Sequence, residues 1–302
     1  MHPVAEVLRE RAAGRADDHK VALVLEGGAM RGVVSAAMTA ALERLGLGRA
    51  FDVVVGASAG ALNGAAFLAG VAAGSAAAYH GTLATREFVN PARLLFGRPA
   101  LDVGWVVHNA HEGLDAGRHE RTLESGIPLH CLAVDVETAE PVDLTGMRTV
   151  EELCRALLAS SRMPWVGGEP IEIAGRRYLD GGLAAPIPVA TALGSGATHA
   201  LVLQTRPHGV PRSSGSRVAD RLITRHLKRL NPRLVDLYHG RIVSYERVVE
   251  DIARRSAEPS PPFVLGLRPP AGTPPVSQLE RRPEVLRTAA EEAEKLVDDL
   301  LS

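Results

Sequence analysis

Three short stretches of this chain carry residue types that could do acyl-transfer chemistry. Val53-Val54-Val55-Gly56-Ala57-Ser58-Ala59-Gly60 runs from an apolar, β-branched segment into a helical pattern. A Gly-x-Ser-x-Gly sequence between a strand and a helix is a nucleophile elbow, which lifts a serine hydroxyl above the edge of a sheet. Gly56 and Gly60 let the backbone turn sharply with no Cβ in the way. Ser58 then stands at a helix N-terminus, where backbone N–H groups favour developing negative charge. The second stretch is Glu26-Gly27-Gly28-Ala29-Met30-Arg31-Gly32, after the apolar run Val21–Leu25 and before another helical pattern. A glycine-rich strand-to-helix loop exposes the N–H donors that an oxyanion hole requires. The third stretch, Arg177-Tyr178-Leu179-Asp180-Gly181-Gly182, sets a carboxylate at the end of a short strand. A serine hydroxyl needs a proton acceptor, and a positioned carboxylate can serve.

Each stretch alone could arise by chance in a chain with 30 glycines. In this order, each at a strand end, the three resemble the patatin-like phospholipases, a family of lipid acyl hydrolases. That family's pattern is a Gly-Gly-Gly-x-Arg/Lys-Gly loop, a Gly-x-Ser-x-Gly elbow and an Asp-Gly-Gly/Ala motif. The resemblance runs roughly from Val21 to Thr205 and takes in Ala133–Thr138 and Ala159–Pro164. It implies a three-layer α/β fold, with a central, mostly parallel sheet flanked by helices. It implies a Ser58–Asp180 dyad with no cofactor and no metal, and an oxyanion hole at Gly28 and Ala29, with Gly27 beside them. The implied substrate is a lipid or other acyl ester, in a reaction of the phospholipase A, lysophospholipase or esterase type. Ala29 stands where the family has its third glycine, but an alanine keeps the N–H. Arg31 holds the family's basic position beside Gly32. It either supports the loop by a side-chain hydrogen bond or is a solvated arginine at a helix start.

A Ser–His–Asp hydrolase or acyltransferase is the rival mechanism, and its chain order would permit Ser58, Asp180, His199. His199 begins its strand, however, whereas sites of open α/β sheets lie at carboxyl ends. His208 lies past the carboxyl end but in a polar loop. A third reading makes Gly27–Gly32 a phosphate or nucleotide cradle of a non-enzymatic module, although the spacing fits neither the P-loop nor G-x-G-x-x-G. Glu26 is expected to anchor the glycine loop, and Asp135 to make a structural hydrogen bond. Ser160 and Ser161 either line the site or pack a helix end.

The chain has 302 residues, 46% hydrophobic and 23% charged, with net charge -1, an ordinary composition for a soluble globular chain. Near-neutral charge gives no reason to expect nucleic acid as a partner. Cys131 and Cys154 sit in apolar surroundings and read as reduced, buried thiols. Met1–Lys20 has no apolar core, so no leader is expected, and a cytoplasmic location follows, with peripheral membrane contact left open. Between Asp52 and Arg86 no Asp, Glu, Lys or Arg occurs, yet the glycines, serines and Asn63 argue for a buried strand and helix rather than a membrane span.

The pattern predicts an N-terminal helical extension (1–20), a catalytic unit (21–205) and a mostly helical remainder (206–302) packed on it. Core strands are expected at Val21–Leu25, Phe51–Val55, Leu129–Asp135 and Ala200–Thr205, without strict alternation, as in parallel strands covered on both faces. One elbow helix is expected over Ala59–Ala73, and a hairpin turning at Ala174-Gly175 delivers Asp180. The irregular stretch Ala76–Leu123, with Phe88, Phe96 and Trp105, is either a helical insertion or an acyl pocket whose 86–120 part is a lid. Residues 206–216 read as a mobile loop.

Overall fold

The structure, a computed structural model, describes residues 1–109, 114–212 and 217–301. Four parallel strands make the centre of the sheet: β1 (Val21–Leu25), β2 (Val53–Ala57), β7 (His199–Leu203) and β8 (Phe263–Leu267). β3 (Leu129–Asp135) extends this parallel set beyond β2. β1, β2 and β7 are buried at every position, which explains why their sequences are continuous apolar runs. Three antiparallel strands complete the sheet: β4 (Pro141–Leu144), β5 (Ile171–Ile173) and β6 (Arg176–Asp180).

Alternate side chains of the central strands feed two cores. Leu23, Leu25, Val54, Leu201 and Leu203 face α2 (Val33–Arg44), α3 (Ala59–Leu68), α7 (Val150–Ser160) and α11 (Pro283–Leu301). Ala22, Val24, Val53, Val55, Ala57, Ala200 and Val202 face α8 (Val189–Gly194) and Tyr245 and Ile252 of α10 (Arg233–Ala257). The result is the expected three-layer α/β architecture. The remaining helices are α1 (Pro3–Ala12), α4 (Ala72–His80), α5 (Val103–His108), α6 (Arg118–Glu124) and α9 (Arg217–Leu230).

The expected single helix over Ala59–Ala73 is two. Gly70 adopts φ 69°, and Val71 N donates to Ala66 O, an ending that favours glycine. The Glu43 carboxylate then accepts from the amides of Ala72 and Ala73 and starts α4. The predicted hairpin forms, with Ala174 and Gly175 both at positive φ, the twist that a tight two-residue turn needs. The loop expected over 206–216 is described as far as Arg212; residues 213–216, and 110–113 of the expected lid, lie outside the described residues.

Strand register fixes where the site forms. Cys131 and Leu132 of β3 pair with β2 on one edge and with β4 on the other. Ala133 and Val134 pair with β4 and with β6. A strand has only two edges, so β2 and β6 share one edge of β3 and approach head to head. Ala57 pairs with Leu132 and Asp180 with Ala133. The carboxyl ends of β2 and β6 therefore meet, although β6 runs antiparallel. Asp180 is thus delivered by the expected hairpin, from a strand antiparallel to the set that carries Ser58.

Gly181 closes that junction, because a Cβ there would collide with the Leu132 carbonyl. Gly181→Ala is expected to lower the unfolding free energy by about 1–3 kcal/mol, the usual cost of overpacking. Urea denaturation checks this, and an unchanged midpoint would show that the junction tolerates a side chain.

Candidate active site

Ser58 follows β2 directly and opens α3. Its φ of 57° and ψ of −130° lie in a region that L residues rarely occupy, at a cost on the order of 1–3 kcal/mol. The two flanking glycines make that turn possible. A Cβ at Gly56 would press on the Gly60 backbone, and one at Gly60 would collide with Leu25 O. The Ser58 amide donates to Ser160 Oγ at 3.0 Å, and Ser160 Oγ donates to Leu132 O at 2.7 Å. Ser160, at the end of α7, thus ties the elbow to the β2–β6 junction. Ser161 lies beside it, buried, and lines the cavity described below.

Asp180 is 4% exposed. Its Oδ1 accepts from Gly182 N at 2.7 Å, and Ser58 lines the same cavity beside it. Burial pushes the carboxyl up to about 6, against the pull of the Ser58 hydroxyl, the Gly182 amide and the Arg212 charge. A carboxylate with that affinity is a better proton acceptor than an ordinary aspartate and is still ionised at neutral pH.

The glycine loop lies against the elbow. A Cβ on Gly27 would strike Ala57 O and Ser58 Cβ, and one on Gly28 would sit about 3.0 Å from the Arg31 guanidinium. Ala29 takes φ 51°, a left-handed conformation that glycine would adopt with less strain. Met30 N donates to Gln278 O and Arg31 N to Gly28 O. Among the described residues, no hydrogen bond takes up the amides of Gly28 and Ala29. Arg31 is buried rather than solvated: its Nε donates to Thr205 Oγ1 at 3.1 Å, and Thr205 Oγ1 donates to Gly27 O at 3.1 Å. The Glu26 carboxylate accepts from Thr205 N at 2.6 Å, the anchoring expected of it. Gly32 packs against Tyr79 and Ala59 with no room for a side chain.

Sequence reasoning passed over the group beneath this loop. Asn63 Nδ2 donates to Gly32 O at 2.9 Å and to Ser35 Oγ at 3.0 Å, while its Oδ1 accepts from Tyr79 OH at 3.2 Å. Ser35 Oγ in turn bonds the carbonyls of Glu26 and Gly32. The signal was present: an asparagine stands five residues after the serine in an otherwise small and apolar helix. Asp135 proves structural, as expected, with Oδ1 accepting from the amides of Glu137 and Thr138 and Oδ2 paired to Arg176 at 2.7 Å.

The two histidines weighed as bases lie elsewhere. His199 pairs with Val21 at the start of β7, at the opposite end of the sheet from Ser58, and stacks near His19 and Phe263. His208 is exposed, and its amide bonds Pro269 O. Among the described residues, no histidine is hydrogen-bonded to Ser58 or Asp180. None of the described helices is long and apolar enough to cross a membrane, and no described cluster of His, Cys, Asp or Glu could hold a metal ion. Both cysteines are free and buried.

Ser58 borders two cavities. One is lined mainly by apolar side chains, among them Leu62, Ala66, Phe88, Val107 and Leu157. The irregular segment thus supplies cavity wall, as one of its two readings expected, although Phe96 is 80% exposed and does not contribute. The other cavity is of mixed character: it holds Asp180, Gly27, Gly28 and several arginines among apolar side chains such as Met163, Ile223 and Val276.

An elbow serine, a buried carboxylate and a glycine loop at adjoining strand ends of a mostly parallel sheet define a three-layer α/β protein of the patatin-like class. The chain belongs to the patatin-like phospholipase family, whose model matches residues 23–193. The uncharacterized protein YjjU of Escherichia coli (strain K12) is 29% identical over 190 residues, 62% of this chain and 52% of that protein. The chain therefore spans about half the length of this curated relative. The crystal structure of VipD from Legionella pneumophila aligns with a TM-score of 0.42 at 11% identity, covering 94% of this chain and 67% of that one.

The raised affinity of Asp180 has a consequence for stability. An unfolded aspartate titrates near 3.9, so between about 4 and 6 the folded state binds more protons, and stability falls as pH rises through that window. Asp180→Asn removes the cost of burying the charge. The variant is expected to be more stable than the wild type at pH 8 by about 1–3 kcal/mol, with the gain vanishing below about pH 4. Urea titrations at both pH values check this; a variant less stable at pH 8 would overturn burial as the dominant influence.

Proposed function

We propose that this chain is a serine lipid acyl hydrolase, of the phospholipase A, lysophospholipase or esterase type, working through a Ser58–Asp180 dyad. The observation that carries this reading is the meeting of the elbow serine and a buried carboxylate of raised proton affinity at the junction of β2 and β6. Ser58 Oγ attacks the ester carbonyl as Asp180 takes its proton. The oxyanion is received by the amides of Gly28 and Ala29, with Gly27 adjoining, and Arg31 and Gly32 support that loop. Collapse of the tetrahedral intermediate breaks the ester bond, and Asp180 returns the proton to the leaving alcohol. Water then attacks the acyl-enzyme; Asp180 accepts its proton and passes it back to Ser58 as the carboxylic acid leaves.

The apolar cavity suits the acyl chain. Leu95 and Phe96, 84% and 80% exposed, stand between two residues that wall this cavity, Phe88 and Leu101, and suit peripheral contact with a lipid surface. Two free cysteines support a reducing, cytoplasmic location. On this reading 21–205 is the catalytic unit, and 1–20 and 206–302 are additions packed on it.

A fluorophosphonate probe is expected to label the wild type at Ser58 and to leave Ser58→Ala unlabelled. Ester hydrolysis needs ionised Asp180, so kcat/KM is expected to hold above pH 7 and to drop about tenfold per pH unit once below about 6. Labelling at another residue, or a profile flat down to pH 4, would overturn the dyad.

Ala29 contributes through its amide alone. Ala29→Gly is expected to keep activity, whereas Ala29→Pro, which removes the donor, is expected to lose at least ~100-fold in turnover. A well-folded Ala29→Pro protein with near-normal turnover would locate the oxyanion hole elsewhere.

A further inference from the structure

An ester bound at Ser58 has two arms, and the serine borders two cavities, one almost wholly apolar and one of mixed lining that carries charged side chains. The apolar one suits the acyl arm, which leaves the mixed one for the alcohol arm. Its lining holds Arg31, Arg206, Arg212 and Arg241 against two carboxylates, Glu26 and Asp180. Glu26 is bonded to Thr205 N, and Arg241 meets Asp220 at 3.5 Å. Among the described residues, neither Arg206 nor Arg212 has a carboxylate within ion-pair distance. Both donate to main-chain carbonyls instead: Arg206 to Pro211 O at 3.2 Å, and Arg212 to Arg241 O and Gly182 O at 3.4 Å each.

The two guanidinium groups lie near one aromatic ring, with their Cζ atoms 5.7 and 5.4 Å from the Tyr245 centroid. Tyr245 is 3% exposed and lines the same cavity, yet its hydroxyl has no hydrogen-bond partner among the described residues. Arg206 Nε is unpartnered in the same way. Buried donors are ordinarily satisfied, so the Tyr245 hydroxyl and Arg206 Nε, both buried and beside the Arg212 guanidinium, mark a place for an acceptor. Arg212 responds to this surplus: burial, then the charges of Arg241 and of Arg206 and Arg31, pull it down to about 10.

We propose that Arg206, Arg212 and the Tyr245 hydroxyl form an anion subsite for a phosphate on the substrate's alcohol arm, so that the enzyme selects acyl esters of phosphorylated alcohols. The proposal rests on the hydrolase reading above. Two guanidinium forks and a hydroxyl offer more donors than one carboxylate can use, whereas a phosphate accepts through several oxygens. The subsite also lies past residue 193, outside the segment that defines the family. It is thus a feature of this chain's own C-terminal region.

The test compares two single-chain esters with the same acyl group, an acylglycerol phosphate and the neutral acylglycerol. The wild type is expected to favour the phosphate ester in kcat/KM by about tenfold or more. Arg206→Gln and Arg212→Gln are each expected to cut that ratio about tenfold, mainly through KM, and Arg212→Lys to recover part of it. Tyr245→Phe removes a hydroxyl without a protein partner, so it should reduce the ratio with no loss of thermal stability. Glycerol 3-phosphate and inorganic phosphate, used as competitive inhibitors of neutral-ester hydrolysis, separate recognition of a lipid headgroup from binding of free phosphate. A wild-type ratio near one, or a ratio unchanged in both arginine-to-glutamine variants with native circular dichroism, overturns the subsite. If neither ester is cleaved by the wild type, the hydrolase reading fails. Calorimetric binding of glycerol 3-phosphate, present in the wild type and lost in Arg212→Gln, then still decides the subsite.

Discussion

Everything in the site depends on one edge of β3. That edge receives β2 as far as Leu132 and β6 from Ala133 onward. Two strands running in opposite directions cannot both continue along it, so each must stop where the other begins. The chain turns away at Ser58 on one side and at Gly181 on the other. Turning there requires conformations and clearances that ordinary residues do not allow, which is why Gly56, Gly60 and Gly181 all lie within van der Waals range of other backbone. Ser160 bridges the two ends through Leu132 O and the Ser58 amide. The serine and the aspartate are thus held by ladder hydrogen bonds rather than by loops, which limits their relative motion.

The glycine loop is held by a different device, a buried polar network. Asn63, Ser35, Tyr79, Thr205, Arg31 and Glu26 bond the loop's carbonyls or one another from below. Each such bond adds only about 1 kcal/mol net, but leaving any of these buried groups unpaired costs more. The network therefore specifies one loop conformation more than it stabilises the fold. Because these bonds occupy carbonyls, the amides of Gly28 and Ala29 stay turned outward and unshared.

Burial sets the electrostatics on both sides of Ser58. It raises Asp180 and lowers Arg212, because each charge loses solvation inside a cavity with few compensating partners. Asp180 keeps the Gly182 amide and the neighbouring Ser58 hydroxyl and so remains ionised near neutrality. Among the described residues, the arginines at Tyr245 have no carboxylate within ion-pair distance, and this open demand for an anion distinguishes the mixed cavity from the apolar one.

The sequence by itself determined the elements and the candidate chemistry. Continuous apolar runs marked the parallel strands because both faces are covered, and glycine spacing marked the elbow because only glycine fits there. Asp180 was legible from the Asp-Gly-Gly turn, and the poor position of His199 from its place at a strand start. What the sequence did not contain was register. Whether Asp180 faces Ser58 depends on β2 and β6 sharing an edge of β3, a relation among residues more than 40 positions apart that no local pattern encodes. Arg31 was undecided for the same reason: only packing against Thr205, just past β7 and remote in sequence, turns a helix-start arginine into a buried prop. The roles of Asn63 and of the cluster at Tyr245 likewise arise where distant segments converge, because a polar side chain acquires its function from the partners that tertiary structure brings to it or withholds.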